Sequence, residues 1–437
     1  MSDNTERSDH DAYDPLVPVP EGKRSLTTRD AFSLWFSLGI GLLVLQAGAY
    51  LVPGLSLTEG LLAIVIGSVA GALLLGLAGV VGADTGLATM GALRPTLGVR
   101  GVHISALLNV IQLVGWGSFE IIAMRDAANT LSTNTFGLTF PIVWTLVFGL
   151  AATLLAVMGP LGFIRRFLRQ YGLWLLLAGA AWMTWALLSR HNLADAFARK
   201  GDGSLSLGGG IDLVIAMPLS WLPLIADYAR FGKSSKAVFR GSSAGFVLAN
   251  IWFFSLGAAY ALLTENPADM LLSALATTGG GLALLLILID ETDNVFADIF
   301  SAASSMASLL HFRIRHLVIG FGLLCTVIAL FVPMANFMTF LYAIGSVFTP
   351  LYGVLLVDHF LIRKRQIVAK DIIRIMGVYR FTYGVHVSAF AAWGAGIATY
   401  YYVLSFLPAV GATLPAFFVA AVTYWALAQM FARPADV

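Results

Sequence analysis

An all-α polytopic membrane protein is the fold class this sequence predicts, on three observations. Of 437 residues, 58% are hydrophobic and only 11% charged, against about 25% charged in soluble domains; mean hydropathy is +0.84. Apolar windows of about 20 residues, the length that crosses a bilayer core of roughly 30 Å, recur about twelve times. Lys and Arg gather in alternate connecting segments, as expected of a chain that crosses a membrane repeatedly. The net charge of +2 gives no electrostatic ground for a nucleic-acid partner.

The windows fall at approximately 31–52, 58–82, 101–128, 138–160, 170–189 and 211–229, then at approximately 241–263, 279–308, 316–334, 336–361, 382–405 and 410–431. Residues 1–29 are polar, with no apolar core before Ala31. They read as a disordered cytoplasmic tail and not as a signal peptide. Residues 30–361 hold ten spans, 362–381 form a basic cytoplasmic loop, and 382–432 add two peripheral helices. Basic residues such as Arg165, Arg166, Arg240, Arg313 and Arg363 fall in loops on one side, which places both termini in the cytoplasm. The single cysteine, Cys325, can form no intramolecular disulfide and reads as a small packing residue.

Spans one and six read as broken helices. Span one carries Gly39-Ile40-Gly41, then Gln46-Ala47-Gly48, and stops at Pro53-Gly54; span six has Pro218 and Pro223 bracketing Ser220-Trp221. Proline removes a backbone donor and frees carbonyls of the preceding turn. Interrupted spans at corresponding positions of two halves point to a transport site, and an inverted repeat of five spans would place the pair here.

The polar residues at mid-span carry the chemistry. Asp290, Glu291, Asp293 and Asp298 lie within an otherwise apolar eighth span, where each charge costs roughly 2.5–3.5 kcal/mol unless it faces a protein-lined cavity. Trp116 and Glu120, four residues apart, share one face of span three. Trp116 stands between two glycines with room for a flat ligand, and Glu120 reads as a hydrogen-bond acceptor in a cavity. Arg125 is expected to snorkel outward or to pair with Asp126 across helices. Trp221 and Ser220 stand where freed backbone groups meet a ligand. Two tryptophans from different helices would sandwich a planar ring, worth about 1–3 kcal/mol by analogy with base stacking. Asp227, beside Arg230, reads as a helix-end ion pair or gate. The oxygens of Thr292 and Asp293 suit a hard cation, while a buried carboxyl suits a proton relay. Both remain open.

These stretches, in this order, resemble the nucleobase–cation symporters, carriers of cytosine, purines, allantoin, hydantoins and pyrimidine precursors. The resemblance rests on WFSLGIGLLVLQAG (35–48), GLATMGALRPTLGVRG (86–101), GWG (115–117), SWLPLIADYARF (220–231), ETDNVFADIFSAASS (291–305) and TPLYGVLLVDHFLIRK (349–364). It implies a leucine-transporter-like five-plus-five inverted-repeat transport core working by alternating access in the cytoplasmic (inner) membrane. It also implies that Trp116 and Trp221 stack the heterocycle and that Gln46, Glu120 and Asp298 read its edge. Glu120 and Asp298 replace amides of some relatives with carboxylates, which when ionised only accept. That exchange disfavours carbonyl-rich hydantoins and suits a 4-aminopyrimidine, cytosine or hydroxymethylpyrimidine. A sodium site would use the backbone of Leu42, Leu45 and Ile289 with Thr292 and Asp293. Asp293 replaces a neutral hydroxyl there, which keeps H+ beside Na+ as coupling ion. The partners implied are a heterocycle, a cation and lipid, and no cofactor.

Three alternatives are weaker. A channel would need a continuous polar pore. An intramembrane enzyme would need a motif such as HExxH or GxSxG, and the nearest candidate is Asp358-His359. Purine, allantoin or thiamine carriage, or an amino-acid symporter on the same fold, would keep the architecture and change the cargo.

Overall fold

The computed structural model describes residues 16–158, 163–190, 193–263, 281–307, 312–372, 374 and 376–431. Helices joined by loops make up these residues, with no β-strand among them. The helices are α1 (Thr28–Leu38), α2 (Leu42–Ala49), α3 (Leu57–Thr85), α4 (Thr89–Leu97), α5 (Val102–Phe136), α6 (Pro141–Met158), α7 (Phe163–Arg190) and α8 (Leu193–Ala198). They continue as α9 (Leu207–Ser220), α10 (Leu222–Ala229), α11 (Ser235–Ala261), α12 (Gly281–Ala307), α13 (Ile314–Phe331), α14 (Phe337–Val357), α15 (Val387–Phe406) and α16 (Thr413–Phe431). Among the described residues eight helices are long and apolar enough to cross a membrane, or nine if the bent α1–α2 pair is one span. The further long helices α7, α12 and α15 have 28, 27 and 20 residues.

Local chemistry sets the ends. Thr27 with Asp30 and Ser56 with Glu59 close reciprocal capping boxes at the starts of α1 and α3, satisfying first-turn N–H groups that lack helical partners. Gly86 ends α3 at φ 70°, a backbone region that glycine enters without steric cost. The outer helices present Leu62, Ile142, Leu150, Leu323 and Val422 as exposed apolar surface, as a lipid-facing belt requires.

Helix packing reveals the internal repeat. α1 and α2 lie against α11, and α9 and α10 lie against α3. α5 packs on α13 and α6 on α12, while α5 with α6 answers α12 with α13. Moving each partner five spans along the chain turns one member of each pair into the other. An odd offset inverts the second set of spans relative to the bilayer, which is the inverted-repeat architecture.

The packing is close because small residues line the contacts. A Cβ on Gly257 of α11 would lie 2.0 Å from the Leu45 carbonyl oxygen, and one on Gly48 of α2 would lie 2.3 Å from the Phe254 carbonyl oxygen. The α2 and α11 backbones therefore touch.

Two carboxylates clamp the Lys- and Arg-rich end. Asp84 accepts from Arg365 at 2.6 Å, pairs with His359 at 2.8 Å and is bonded by the Ser235 hydroxyl. Asp358 accepts from Thr96 and Tyr424, both at 2.7 Å, and from Arg363 at 2.9 Å. Asp358 and His359 thus join helices and are no catalytic pair.

One expected boundary needs correction. The free tail does not extend to residue 29: Val19 N–H bonds the Gly86 carbonyl at 2.8 Å, Leu26 N–H bonds Phe231 at 2.8 Å, and Lys233 N–H bonds Leu26 at 2.9 Å. The loop between α14 and α15 is held against the helices. Its Tyr379 is buried, and Arg94 of α4 reaches the Ile372 carbonyl at 2.9 Å.

Candidate functional site

The first span bends by 60° between α1 and α2. The turn is Gly39-Ile40-Gly41, and Gly41, as N-cap of α2, has no side chain to offer the first-turn N–H groups. Glu291 of α12 makes good that lack from across the molecule: its Oε2 accepts from Leu42 N–H at 3.2 Å, and the residue is 1% exposed. An anion is favoured at that end by both the open donors and the helix dipole.

The sixth span breaks at Trp221, between α9 and α10. Side chains from other helices take the carbonyls at the break. Gln112 Nε2 of α5 donates to Ser220 O at 3.3 Å, and the Tyr352 hydroxyl of α14 donates to Leu222 O. The Ser220 hydroxyl itself donates to Met217 O at 2.7 Å.

Between the two breaks lies a cavity lined by Trp116 and Glu120 of α5, Ser220 and Trp221, and Glu291, Asn294 and Asp298 of α12. Leu43, Val44, Met217 and Leu224 supply apolar walls. Trp116, 7% exposed, is braced edge-on by Phe337 and Phe340 at 5.7 and 5.5 Å between ring centroids. Trp221 is braced edge-on by Trp35 at 5.9 Å. The Trp116 Nε1 donor and the Glu120 Oε2 acceptor are buried with no hydrogen-bond partner. Such orphan groups call for a partner. A flat ring with both donor and acceptor edges can lie against the indoles and satisfy them.

A family model described as a permease for cytosine/purines, uracil, thiamine and allantoin matches residues 18–427. The chain belongs to this permease family. Its relatives include the allantoin permease of Bacillus subtilis (strain 168), 23% identical, with 90% of this chain and 87% of that protein covered. The cytosine permease of Escherichia coli (strain K12) is 27% identical, covering 80% of this chain and 81% of that one. The inward-facing structure of Mhp1 superposes with a TM-score of 0.81 at 20% identity, covering 96% and 95% of the two chains. The structure of Mhp1 in a closed conformation with bromovinylhydantoin bound gives a TM-score of 0.79, also at 20% identity, covering 97% of each chain. At such identity these two establish the fold, the leucine-transporter-like inverted repeat.

In this permease five of the residues expected at a substrate site, Trp116, Glu120, Ser220, Trp221 and Asp298, line one cavity. Gln46 is buried on α2 but is not among the lining residues. Of the residues expected to hold sodium, three can be placed. Leu42 N–H is turned to Glu291, the Leu45 carbonyl abuts Gly257, and the Thr292 hydroxyl donates to Leu288 O at 3.0 Å within its own helix. The side chains of Ile289, Asp290 and Asp293 lie outside the described residues. Arg125 pairs with Asp126 at 2.7 Å, not across helices but between consecutive residues, and its Nη1 crosses to Ala329 O of α13. Asp227 accepts from Thr89 N–H at 2.8 Å, so it caps α4.

Glu291 was named only as one of four mid-span acids, and Asn294 and Gln112 were given no role at the site. A signal existed for the last. Gln112, Trp116 and Glu120 recur every four residues, one polar-aromatic stripe down α5.

Proposed function

We propose that this permease imports a 4-aminopyrimidine, cytosine or a close relative such as hydroxymethylpyrimidine, across the cytoplasmic membrane together with protons, its Lys- and Arg-rich face turned to the cytoplasm. One observation carries the reading. Among the described residues, the cavity between the two tryptophans is lined by three carboxyl side chains, Glu120, Glu291 and Asp298, and by no Lys, Arg or His. An ionised carboxylate only accepts, so the ring it reads must present N–H donors. An exocyclic amino group beside a ring nitrogen does this better than two carbonyls. The similarity to a named cytosine permease is in keeping with this choice.

Proton coupling is supported by the same walls. Glu120 and Asp298 are both buried and line the same cavity, and a buried carboxyl suits a proton relay. A permanently cationic ring, as in thiamine, is the second reading, favoured by the same excess of carboxyls.

The test is uptake of labelled cytosine into proteoliposomes. An imposed pH gradient, acidic outside, should drive accumulation in sodium-free buffer, and a sodium gradient at equal pH should not. Sodium-driven accumulation would overturn the proton assignment. Uptake of thiamine or allantoin with none of cytosine would overturn the ring. At the residue level, Asp298→Ala removes an acceptor for the amino group. Hydrogen bonds to charged groups contribute about 1.5–3 kcal/mol, so cytosine binding should weaken at least tenfold more than uracil binding. Equal losses for the two bases would remove Asp298 from edge reading.

A further inference from the structure

Two half-helices, α2 and α10, end at the cavity with their N-termini, and such an end ordinarily attracts an anion through its open N–H groups and its dipole. In transporters with broken helices these ends point at anionic groups of the substrate. Here neither end is open. At α2 the seat is filled by the chain itself, since Glu291 Oε2 accepts from Leu42 N–H at 3.2 Å. The turn is shaped for that occupant: a Cβ at position 41 would lie 3.0 Å from Glu291 Oε2, so the glycine leaves the carboxylate its room. At α10 the donors are spent. Pro223 has no N–H, and the N–H groups of Leu224 and Ile225 both bond Trp221 O, at 3.0 and 2.9 Å. The remaining acidic lining, Glu120 and Asp298, adds no positive charge.

We propose that Glu291 is a specificity residue, an anion built into the chain that occupies the α2 N-terminus and so bars rings bearing a carboxylate or phosphate. The proposal rests on the reading of this cavity as the substrate site. Glu291 reaches from one half of the repeat to the other, 249 residues along the chain from Leu42. It completes the wall that a neutral or cationic ring meets and leaves an anionic ring no compensating positive charge.

The proposal is tested with two substitutions and two readouts. Glu291→Gly vacates the helix end, and Glu291→Gln keeps the shape and an acceptor while removing the charge. The first readout needs no ring: thermal unfolding of the purified full-length protein in formate and in chloride at equal ionic strength. Formate should raise the midpoint of Glu291→Gly by several degrees and leave the wild type unmoved. The second readout is binding of cytosine and of cytosine-5-carboxylate. Wild type should prefer cytosine at least a hundredfold, and the gap should close to within tenfold in Glu291→Gly, with Glu291→Gln between. Formate stabilising the wild type as strongly as the variant overturns the proposal. So does a Glu291→Gln or Glu291→Gly protein that binds cytosine and still rejects the carboxylated ring a hundredfold. Should neither ring bind any of the proteins while formate still stabilises only Glu291→Gly, the filled anion seat stands and the aminopyrimidine reading falls.

Discussion

Gly257→Ala is expected to displace the inner wall of the cavity and to weaken ligand binding at least tenfold. The added Cβ would lie 2.0 Å from the Leu45 carbonyl oxygen, and the neighbouring contact, Gly48 against the Phe254 carbonyl, leaves as little room. Both partners are backbone atoms, so no rotamer change relieves the clash. α2 must move away from α11. Overpacking of this kind costs about 1–3 kcal/mol, and more where nothing can yield. The displacement falls on the helix whose N-terminus Glu291 holds and whose Leu43 and Val44 line the cavity. Calorimetric titration and thermal unfolding check it together. Binding should fall and the unfolding midpoint should drop. Gly320→Ala, on the open face of α13 where a Cβ meets nothing within 4 Å, should change neither. Wild-type binding in Gly257→Ala would mean that α2 is free to shift without consequence.

Asp358→Ala should be the most destabilising single change at the Lys- and Arg-rich end. The side chain is 1% exposed and accepts from Thr96, Tyr424 and Arg363, tying α4, the end of α14 and α16 together. Burial works against the Arg363 charge, but Asp358 beside it more than compensates and holds that guanidinium above its ordinary value. Removing the carboxylate therefore strands a charge that will not neutralise. Breaking a buried pair from one side costs about 3–5 kcal/mol. Asp358→Asn keeps an acceptor and should cost less. Chemical unfolding of the two variants should rank them in that order, and an Asp358→Ala protein as stable as Lys370→Ala would remove the clamp from the account.

Much of this was legible before the fold was known, for a physical reason. In a membrane span almost every residue is apolar, so Trp116, Glu120, Trp221 and Asp298 stand out as costs that need a cavity. Prolines and glycines marked both breaks. The structure assembles these residues where the breaks meet. What stayed hidden depends on orientation and on distant contacts. Glu291 stood out only as one of four acids, since nothing in its neighbourhood reveals that it docks on Leu42. The facing of Gln46 depends on how α2 is turned after a 60° bend, a rotation no periodicity encodes. The true length of α5 was hidden too. Past residue 128 the sequence turns polar, yet no glycine or proline intervenes, and the helix runs on until Gly137 at φ 67°.

The segment from Val19 to Leu26 lies across the ends of α3 and α10 at the Lys- and Arg-rich face, bonded to Gly86 on one side and to Phe231 and Lys233 on the other. Arg24 adds a bond to Ala83 O at 2.8 Å. Any motion that parts those two ends has to peel this strip away first. An environment-sensitive dye on the exposed Glu21 would therefore brighten or dim with each cycle of the carrier, giving a single-turnover recording that needs neither labelled cargo nor a sealed vesicle.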